Sequence, residues 1–318
     1  MNTIGIVIVN WNTKDLLRNC LNSIKKETVK HTYTIYVVDN NSPDNSAAMV
    51  KEEFPEVILI ANSDNKGFAP ANNQALRIAK ESIMMLLNPD TIVIGNAIDR
   101  MCDFYRANNY GVLTCKLLND DLTLQKSANS FFSLWRSFFE NRFFSDLGAK
   151  LNLKGSTFMT YWDHAEDREI DWSYGAVMMF SQEVIKKVGI LDDQYYIYAE
   201  EMDYFLRVQK AGYRNYFLSN VNIIHYGKSS SRQRRGAMFI QNYKSFYIFL
   251  KKHYSLPTYY AYRTRTLVYL KLWLIKFSLQ YLLKKLTGKN ADEEKTQIRV
   301  YYDTVMWHIS KDSFIRVA

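Results

Sequence analysis

Along the first third of this chain, apolar residues come in short unbroken runs, each closed by polar residues. Ile4–Val9 is a continuous run rich in β-branched residues, the pattern of a strand covered on both faces. Asn10-Trp11-Asn12 breaks it, and Thr13 is placed to cap a helix whose apolar positions Leu16, Leu17, Cys20, Leu21 and Ile24 share one face. A second strand is expected over Tyr33–Val38. It ends in Asp39-Asn40-Asn41-Ser42, after which Pro43 and Asp44 open another helix. A third strand, Val57–Ala61, leads through Asn65-Lys66-Gly67-Phe68-Ala69 to a helix over Ala71–Ala79. Ile83–Leu87 reads as a buried strand stopped by Pro89, which leaves the carboxylate of Asp90 at its C-terminal tip. Strand and helix alternate four times with short connections, which predicts a parallel, doubly wound sheet with right-handed crossovers.

The pattern then loosens. A helix over Ala97–Arg106 and a strand over Val112–Lys116 precede a stretch from Leu117 to about Asp171 that is rich in Phe, Trp, Asn and Ser. Its aromatic spacing suggests a short amphipathic helix, with an acceptor-contacting loop as the alternative. Trp172-Ser173-Tyr174-Gly175-Ala176 enters the apolar run Val177–Phe180, and a short helix follows over Glu183–Val188. Glu200-Glu201-Met202-Asp203 opens a helix that ends at Ala211-Gly212, followed by strands Tyr213–Leu218 and Val221–His225.

Beyond Arg235 the chain turns basic and aromatic. A helix is expected over Asn242–Tyr254, broken by Pro257. In the next helix Val268, Leu272, Ile275, Leu279, Leu282 and Leu286 recur at steps of four and three, a seam of a/d type. A final helix repeats Ile298, Tyr302, Val305 and Ile309 at similar spacing. These helices are expected to pack on one another, on the preceding domain or on a second subunit as a homodimer. The alternative is a membrane-surface platform, for which Lys251, Lys252, Lys271, Lys276, Lys284, Lys285 and Trp273 suit an anionic leaflet. Lys271 and Lys276 inside the apolar stretch argue against spanning, and no run reaches eighteen uninterrupted apolar residues.

Composition narrows the functional classes. With 47% hydrophobic and 23% charged residues, this is an ordinary globular chain. A net charge of +9 fits nucleic acid, an anionic membrane or phosphorylated substrates. The basic residues are spread out and no recognition motif appears, so nucleic acid is not expected as a partner. Cys20, Cys102 and Cys115 lack ligand spacing and read as reduced core residues of a cytoplasmic protein. Ile4–Val9 is too short for the apolar region of a signal peptide, so none is expected.

The chemistry concentrates at strand ends, where open α/β sheets bind ligands. Asp90 beside Asn88 suits a divalent cation with oxygen ligands, of the kind that serves phosphates. Asp39 is placed to accept from a base or ribose, Gly67 offers a close backbone approach, and Asn72 and Asn73 can donate and accept nearby. Singly each reads as a turn or cap. There is no G-x-G-x-x-G after the first strand and no G-x-x-x-x-G-K-[ST], so dinucleotide and P-loop readings lose their main support. Acids in a first helical turn benefit from the helix dipole, which is the simpler reading of Glu200, Glu201 and Asp203. The functional one is a general base in a cleft made drier by Tyr195, Tyr196 and Tyr198. His225, followed by Tyr226-Gly227-Lys228-Ser229-Ser230-Ser231 and by Arg232, Arg234 and Arg235, suits a metal ligand beside a cationic diphosphate clamp.

Seven motifs in order carry a resemblance. They are Val-Asn-Trp-Asn at 9–12, Val-Val-Asp-Asn at 37–40, Asn-Lys-Gly-Phe-Ala at 65–69 and Leu-Asn-Pro-Asp at 87–90. Gly-Ala-Val-Met at 175–178, Tyr-Ala-Glu-Glu-Met-Asp at 198–203 and His-Tyr-Gly-Lys-Ser at 225–229 complete the set. With them the chain resembles a family 2 glycosyltransferase of the GT-A fold, in the rhamnosyltransferase-like branch. The resemblance implies an α/β GT-A domain over 1–231, with a Rossmann-like, mostly parallel doubly wound sheet, and a C-terminal helical extension over 232–318. It implies an inverting, metal-dependent transfer of a sugar, rhamnose as first choice, from a dTDP or UDP donor to a glycan or lipid-linked glycan. Asp39 would contact base or ribose, and Asp90 and His225 would hold Mg²⁺ or Mn²⁺. Asn10, Asn12, Asn40, Gly67, Asn72, Asn88, Gly175 and Arg232 would line the donor. Glu201 would be the base, with Glu200 and Asp203 as rivals, because it stands where the family usually has an aspartate. Asn88 replaces the first acid of the family's D-x-D motif. A non-catalytic module of the same fold and a sugar-phosphate nucleotidyltransferase are the alternatives. The expected location is cytoplasmic, with peripheral attachment to the inner face of the cell membrane as a further option.

Overall fold

The computed structural model describes residues 3–134, 137, 162–227, 235–310 and 313. The chain divides into two units, residues 1–196 with 200–230, and residues 197–199 with 231–318. In chain order the first unit contains β1 (Ile4–Asn10), α1 (Lys14–Glu27), β2 (Tyr33–Asp39), α2 (Ser46–Glu53), β3 (Ile58–Ala61) and α3 (Phe68–Ile78). There follow β4 (Ile83–Leu87), β5 (Thr91–Val93), α4 (Ala97–Ala107), β6 (Leu113–Leu118), β7 (Leu124–Gln125) and β8 (Ala128–Asn129). The unit closes with β9 (Arg168–Ile170), β10 (Trp172–Ser173), β11 (Val177–Ser181), α5 (Gln182–Val188), α6 (Glu200–Lys210) and β12 (Asn215–His225).

The main sheet runs β3-β2-β1-β4-β11-β6-β12-β5, with β7 on β6 and β9 on β12, while β8 and β10 form a separate ribbon. β1 to β4 are parallel, as the alternating runs predicted. β11 then enters antiparallel between β4 and β6, and β12 lies parallel to β6. This inversion positions the site. A strand running backwards begins at the edge where its parallel neighbours end, so Gly175-Ala176 at the start of β11 meets the C-terminal tip of β4. The same edge receives the ends of β1, β2 and β12, namely Asn10, Asp39 and His225.

Ile4, Ile6, Ile8 and the inward face of α1 (Leu17, Cys20, Leu21, Ile24) are fully buried in one core. Each large apolar side chain buried there contributes about 1.5–3 kcal/mol of transfer free energy. All three cysteines are free and buried. Thr13 precedes α1 but does not cap it; its hydroxyl donates to Asn10 Oδ1 at 2.7 Å, and Asp44 Oδ2 accepts from Lys14 N at 2.8 Å instead. α3 starts three residues earlier than its apolar pattern suggested, because Pro70 is tolerated in a first turn. The two expected strands 213–218 and 221–225 are one strand, with its register on β6 shifted between Leu218 and Asn222. Asp167 Oδ1 holds that irregularity by accepting from both Ser219 N and Oγ at 2.7 Å. The aromatic stretch expected to form a short helix falls largely outside the described residues.

The second unit is helical: α7 (Arg235–His253), α8 (Leu256–Leu286) and α9 (Asp292–Ile309). Ser255 caps α8, its Oγ accepting from Thr258 N, and Pro257 sits in the first turn where its missing N–H costs nothing. The residues of the a/d seam predicted for α8 are each more than half exposed. The buried face is instead Tyr259, Arg263, Thr266, Leu270 and Trp273, whose aromatic rings bury more area than the leucines would. Arg263 donates to the backbone oxygens of His308 and Ser313 at 2.6 and 2.8 Å, tying α8 to the end of α9. By length and composition alone α8 could cross a membrane.

Candidate active site

The β1–β2 register sets Asn10 directly beside Asp39, both buried. Asn10 Nδ2 donates to Asp39 Oδ1 at 2.9 Å and to Ser42 Oγ at 3.1 Å. Ser42 N donates to Asp39 Oδ2 at 2.9 Å, and Asn12 N to Ser42 Oγ at 2.9 Å. Asn12 adopts the left-handed backbone, φ 55°, that asparagine tolerates. Each Asp39 oxygen thus accepts one internal bond and retains a lone pair for another donor. Asn40 donates to Gly67 O at 3.0 Å and accepts from Asn62 Nδ2 at 2.9 Å.

Two expected contacts do a different job. Gly67 has φ +92°, and a Cβ there would lie 2.5 Å from Tyr196 O. Its openness admits Tyr196, whose carbonyl accepts from Phe68 N, rather than leaving a gap. Asn72 is buried with its amide donated to Phe68 O at 2.9 Å, a bond within its own helix. Its neighbour Asn73 fixes the loop before α6, donating to Leu191 O at 2.7 Å and accepting from Leu191 N at 3.1 Å.

At the β4 tip, Asp90 and His225 are 6% and 9% exposed, with His225 Nε2 3.3 Å from Asp90 Oδ1 and 3.3 Å from Asn88 Nδ2. Gln125 Oε1 stands 2.7 Å from His225 Nδ1, while Gln125 Nε2 donates to His225 O at 3.1 Å. An amide oxygen only accepts, so Nδ1 carries a proton toward Gln125, and Nε2 is the ring nitrogen that faces Asp90 and Asn88. Asn88 Oδ1 is buried with no hydrogen-bond partner. A carboxylate oxygen, an imidazole nitrogen and a spare amide oxygen suit Mn²⁺ or Mg²⁺. No group of three His, Cys, Asp or Glu with metal-binding geometry occurs among the described residues. Asp90, His225 and Asn88 are thus a carboxylate, an imidazole and an amide gathered at one strand tip.

Two consecutive non-glycine residues with positive φ, Tyr198 at 71° and Ala199 at 64°, turn the chain sharply into α6. Its three acids separate by environment. Asp203 is fully buried and paired with Arg207, Nε to Oδ2 2.7 Å; Arg207 also donates to Val188 O and Ile190 O at 2.9 and 3.0 Å. Asp203 thus anchors the helix to the preceding loop. Glu201 is only partly buried and accepts from Gly175 N, while Glu200 is buried and hydrogen-bonded to Glu201. Burial pushes the Glu201 carboxyl up to about 7. Burial and the neighbouring Glu201 charge hold Glu200 well above the usual carboxylate range. Both carboxyls are thus raised and, hydrogen-bonded to each other, they titrate as a pair. Asn88 N donates to Ala176 O at 2.9 Å, so the Asn88–Asp90–His225 cluster and the Gly175–Glu201 contact are adjoining backbone neighbours.

The structure thus brings together Asn88, Asp90, His225, Gly175 and Glu201, and separately Asn10, Asn12, Asp39 and Asn40. Arg232 lies outside the described residues. Gln125 and Ser42 were not singled out from sequence as site residues, whereas Arg207 stands at i+4 from Asp203, a pairing the sequence spacing shows. Gln125 sits in a two-residue strand within the weakly patterned stretch, where nothing local marks it.

Residues 5–174 match the family model of glycosyl transferase family 2. The low-salt glycan biosynthesis hexosyltransferase Agl10 of Haloferax volcanii is 21% identical over 215 residues, 66% of this chain and 62% of its own. The N-acetylglucosaminyl-diphospho-decaprenol L-rhamnosyltransferase of Mycobacterium tuberculosis is 23% identical, covering 79% of this chain and 84% of its own. Rhamnosyltransferase WbbL of Escherichia coli is also 23% identical, over 78% of this chain and 92% of its own. A crystal structure of GalNAc-T7 with UDP, GalNAc and Mn²⁺ superposes with a TM-score of 0.59 at 12% identity, covering 99% of this chain and 57% of that one. This chain thus spans under two thirds of the length of both Agl10 and the GalNAc-T7 chain. With the family model matched over residues 5–174 of 318 and the mixed α/β sheet of the GT-A fold, this chain belongs to glycosyl transferase family 2.

Proposed function

We propose that this protein moves a hexose, rhamnose as the first choice, from a dTDP or UDP donor to a hydroxyl of a glycan or lipid-linked glycan, with inversion. The observation that carries this reading is the Glu201 carboxylate, held by Gly175 N one residue from the Ala176 carbonyl that anchors Asn88 of the Asn88–Asp90–His225 cluster. Names of the relatives support the sugar, and the UDP and Mn²⁺ of the GalNAc-T7 structure support the donor type.

The residues divide the work. Asp39, held by Asn10 and Ser42, accepts from base or ribose. Glu201 takes the proton of the acceptor hydroxyl as its oxygen bonds to the anomeric carbon. The bond from that carbon to the diphosphate oxygen breaks on the opposite side, and its electron pair leaves with the nucleotide diphosphate. General-base help of this kind is typically worth ~10²–10⁴ in rate. Asp90, His225 and Asn88 would hold Mg²⁺ or Mn²⁺, which supplies positive charge to the departing diphosphate. Glu200, buried and hydrogen-bonded to Glu201, raises the basicity of the pair.

Calorimetric titration with dTDP-rhamnose, UDP-glucose and UDP-galactose, with Mg²⁺ and then with EDTA, tests the reading. The expected result is metal-dependent binding of one donor that is weakened in Asp90→Ala. Binding by Asp90→Ala equal to wild type would overturn the cation assignment, and no heat with any sugar nucleotide would overturn the donor assignment.

A further inference from the structure

Between Tyr204 and Ala291 the sequence holds seventeen Lys and Arg and not one Asp or Glu. This run alone gives the chain its net charge of +9, leaving the remainder net acidic. α8 lies inside it and leaves a continuous apolar stripe uncovered. Val268 is 53% exposed, Leu272 52%, Ile275 56%, Leu279 56%, Leu282 55% and Leu286 84%. At 1.5 Å per residue the stripe is about 27 Å long. At 100° per residue Lys271 and Lys285 border it on one side, Arg265 and Lys276 on the other.

We propose that this stripe docks α8 flat on an anionic lipid surface, the leucines and Ile275 entering the acyl boundary and the flanking cations meeting lipid phosphates. An apolar stripe edged by Lys and Arg is the pattern of a helix lying in the plane of a membrane interface. Charge decides against the two other occupants. A second copy of α8 would set cations against cations, because the helix has no acid with which to pair them. A spanning α8 would carry α9, packed along it, into hydrocarbon. α9 bears Asp292, Glu293, Glu294, Lys295, Arg299 and Asp303, and its Arg299–Asp303 pair is 86% and 56% exposed. On the opposite side α8 is already committed through Tyr259, Leu270 and Trp273, so only the leucine stripe is available.

Vesicle flotation of the full chain tests this. Vesicles rich in phosphatidylglycerol should carry the protein up the gradient, pure phosphatidylcholine vesicles should not, and raised salt should release it. Ile275→Gln with Leu279→Gln should weaken binding more than tenfold, and Lys271→Gln with Lys285→Gln roughly tenfold, both with unchanged melting temperature because these side chains are exposed. Equal binding to neutral vesicles, or none to anionic ones, overturns the proposal. So does resistance to carbonate extraction, which marks a spanning helix. A dimer in sedimentation that the Ile275→Gln, Leu279→Gln variant abolishes, without vesicle binding by the wild type, would make the stripe a self-association seam and overturn it as well. Flotation needs no sugar donor, so its failure is distinct from failure of the transferase reading.

Discussion

Gln125 and His225, one hundred residues apart, are joined by a 2.7 Å bond from Nδ1 of the imidazole to Oε1 of the amide. That bond fixes which nitrogen of the ring faces Asp90. Histidines that serve metals are commonly oriented by a second partner in this way.

Gln125→Leu frees the ring to take either tautomer. Mn²⁺ affinity should fall about 10–100-fold, measured by calorimetry without any sugar donor. Nitrogen NMR of His225 should change from one tautomer to a mixture. A variant with unaltered metal affinity and tautomer would mean that Gln125 has no part in holding His225.

Asp203 and Glu201 should separate cleanly by mutation. Removing one partner of a buried ion pair costs about 3–5 kcal/mol, so Asp203→Asn should lower stability strongly in urea denaturation. Glu201→Gln should fold normally and lose ~10²-fold or more in kcat. The reverse assignment would show Asp203→Asn stable and inactive.

The raised Glu201 carboxyl gives two pH signatures of opposite sense. A base must be ionised, so kcat/KM should rise with pH through about 7 and then level off. Folding prefers the protonated form of a carboxyl raised in this way, so the native state binds more protons than the unfolded chain. Its stabilising contribution is full below the ordinary carboxylate range and is lost as pH climbs through about 7. Glu201→Gln should therefore raise the melting temperature at pH 8 relative to wild type and leave it unchanged near pH 4.

Gly67→Ala tests the approach of Tyr196. A methyl group 2.5 Å from a backbone oxygen at φ +92° has no room and an unfavourable backbone. A loss of roughly 2 kcal/mol is expected in chemical denaturation. Wild-type stability would mean that the loop carrying Tyr196 can move away at little cost.

What the sequence by itself determined was the alternation: four apolar runs with amphipathic helices between them can bury their faces only as a parallel sheet with helices packed on it. Motif residues such as Asp39, Asp90 and His225 were legible because strands end where polar residues interrupt apolar ones. Tertiary structure decided the rest. The backward run of β11, which carries Gly175 to Asn88, leaves no mark in a five-residue apolar segment, since hydrophobicity does not encode direction. Of the three acids of α6, Asp203 has its partner Arg207 four residues on in the same helix, a spacing the sequence already holds, whereas Gly175 reaches Glu201 only through packing. On α8 two apolar seams compete at the same period. The periodicity found the leucine seam, and the larger rings of Tyr259 and Trp273 took the interior, because area buried, not regularity of spacing, decides which face turns inward.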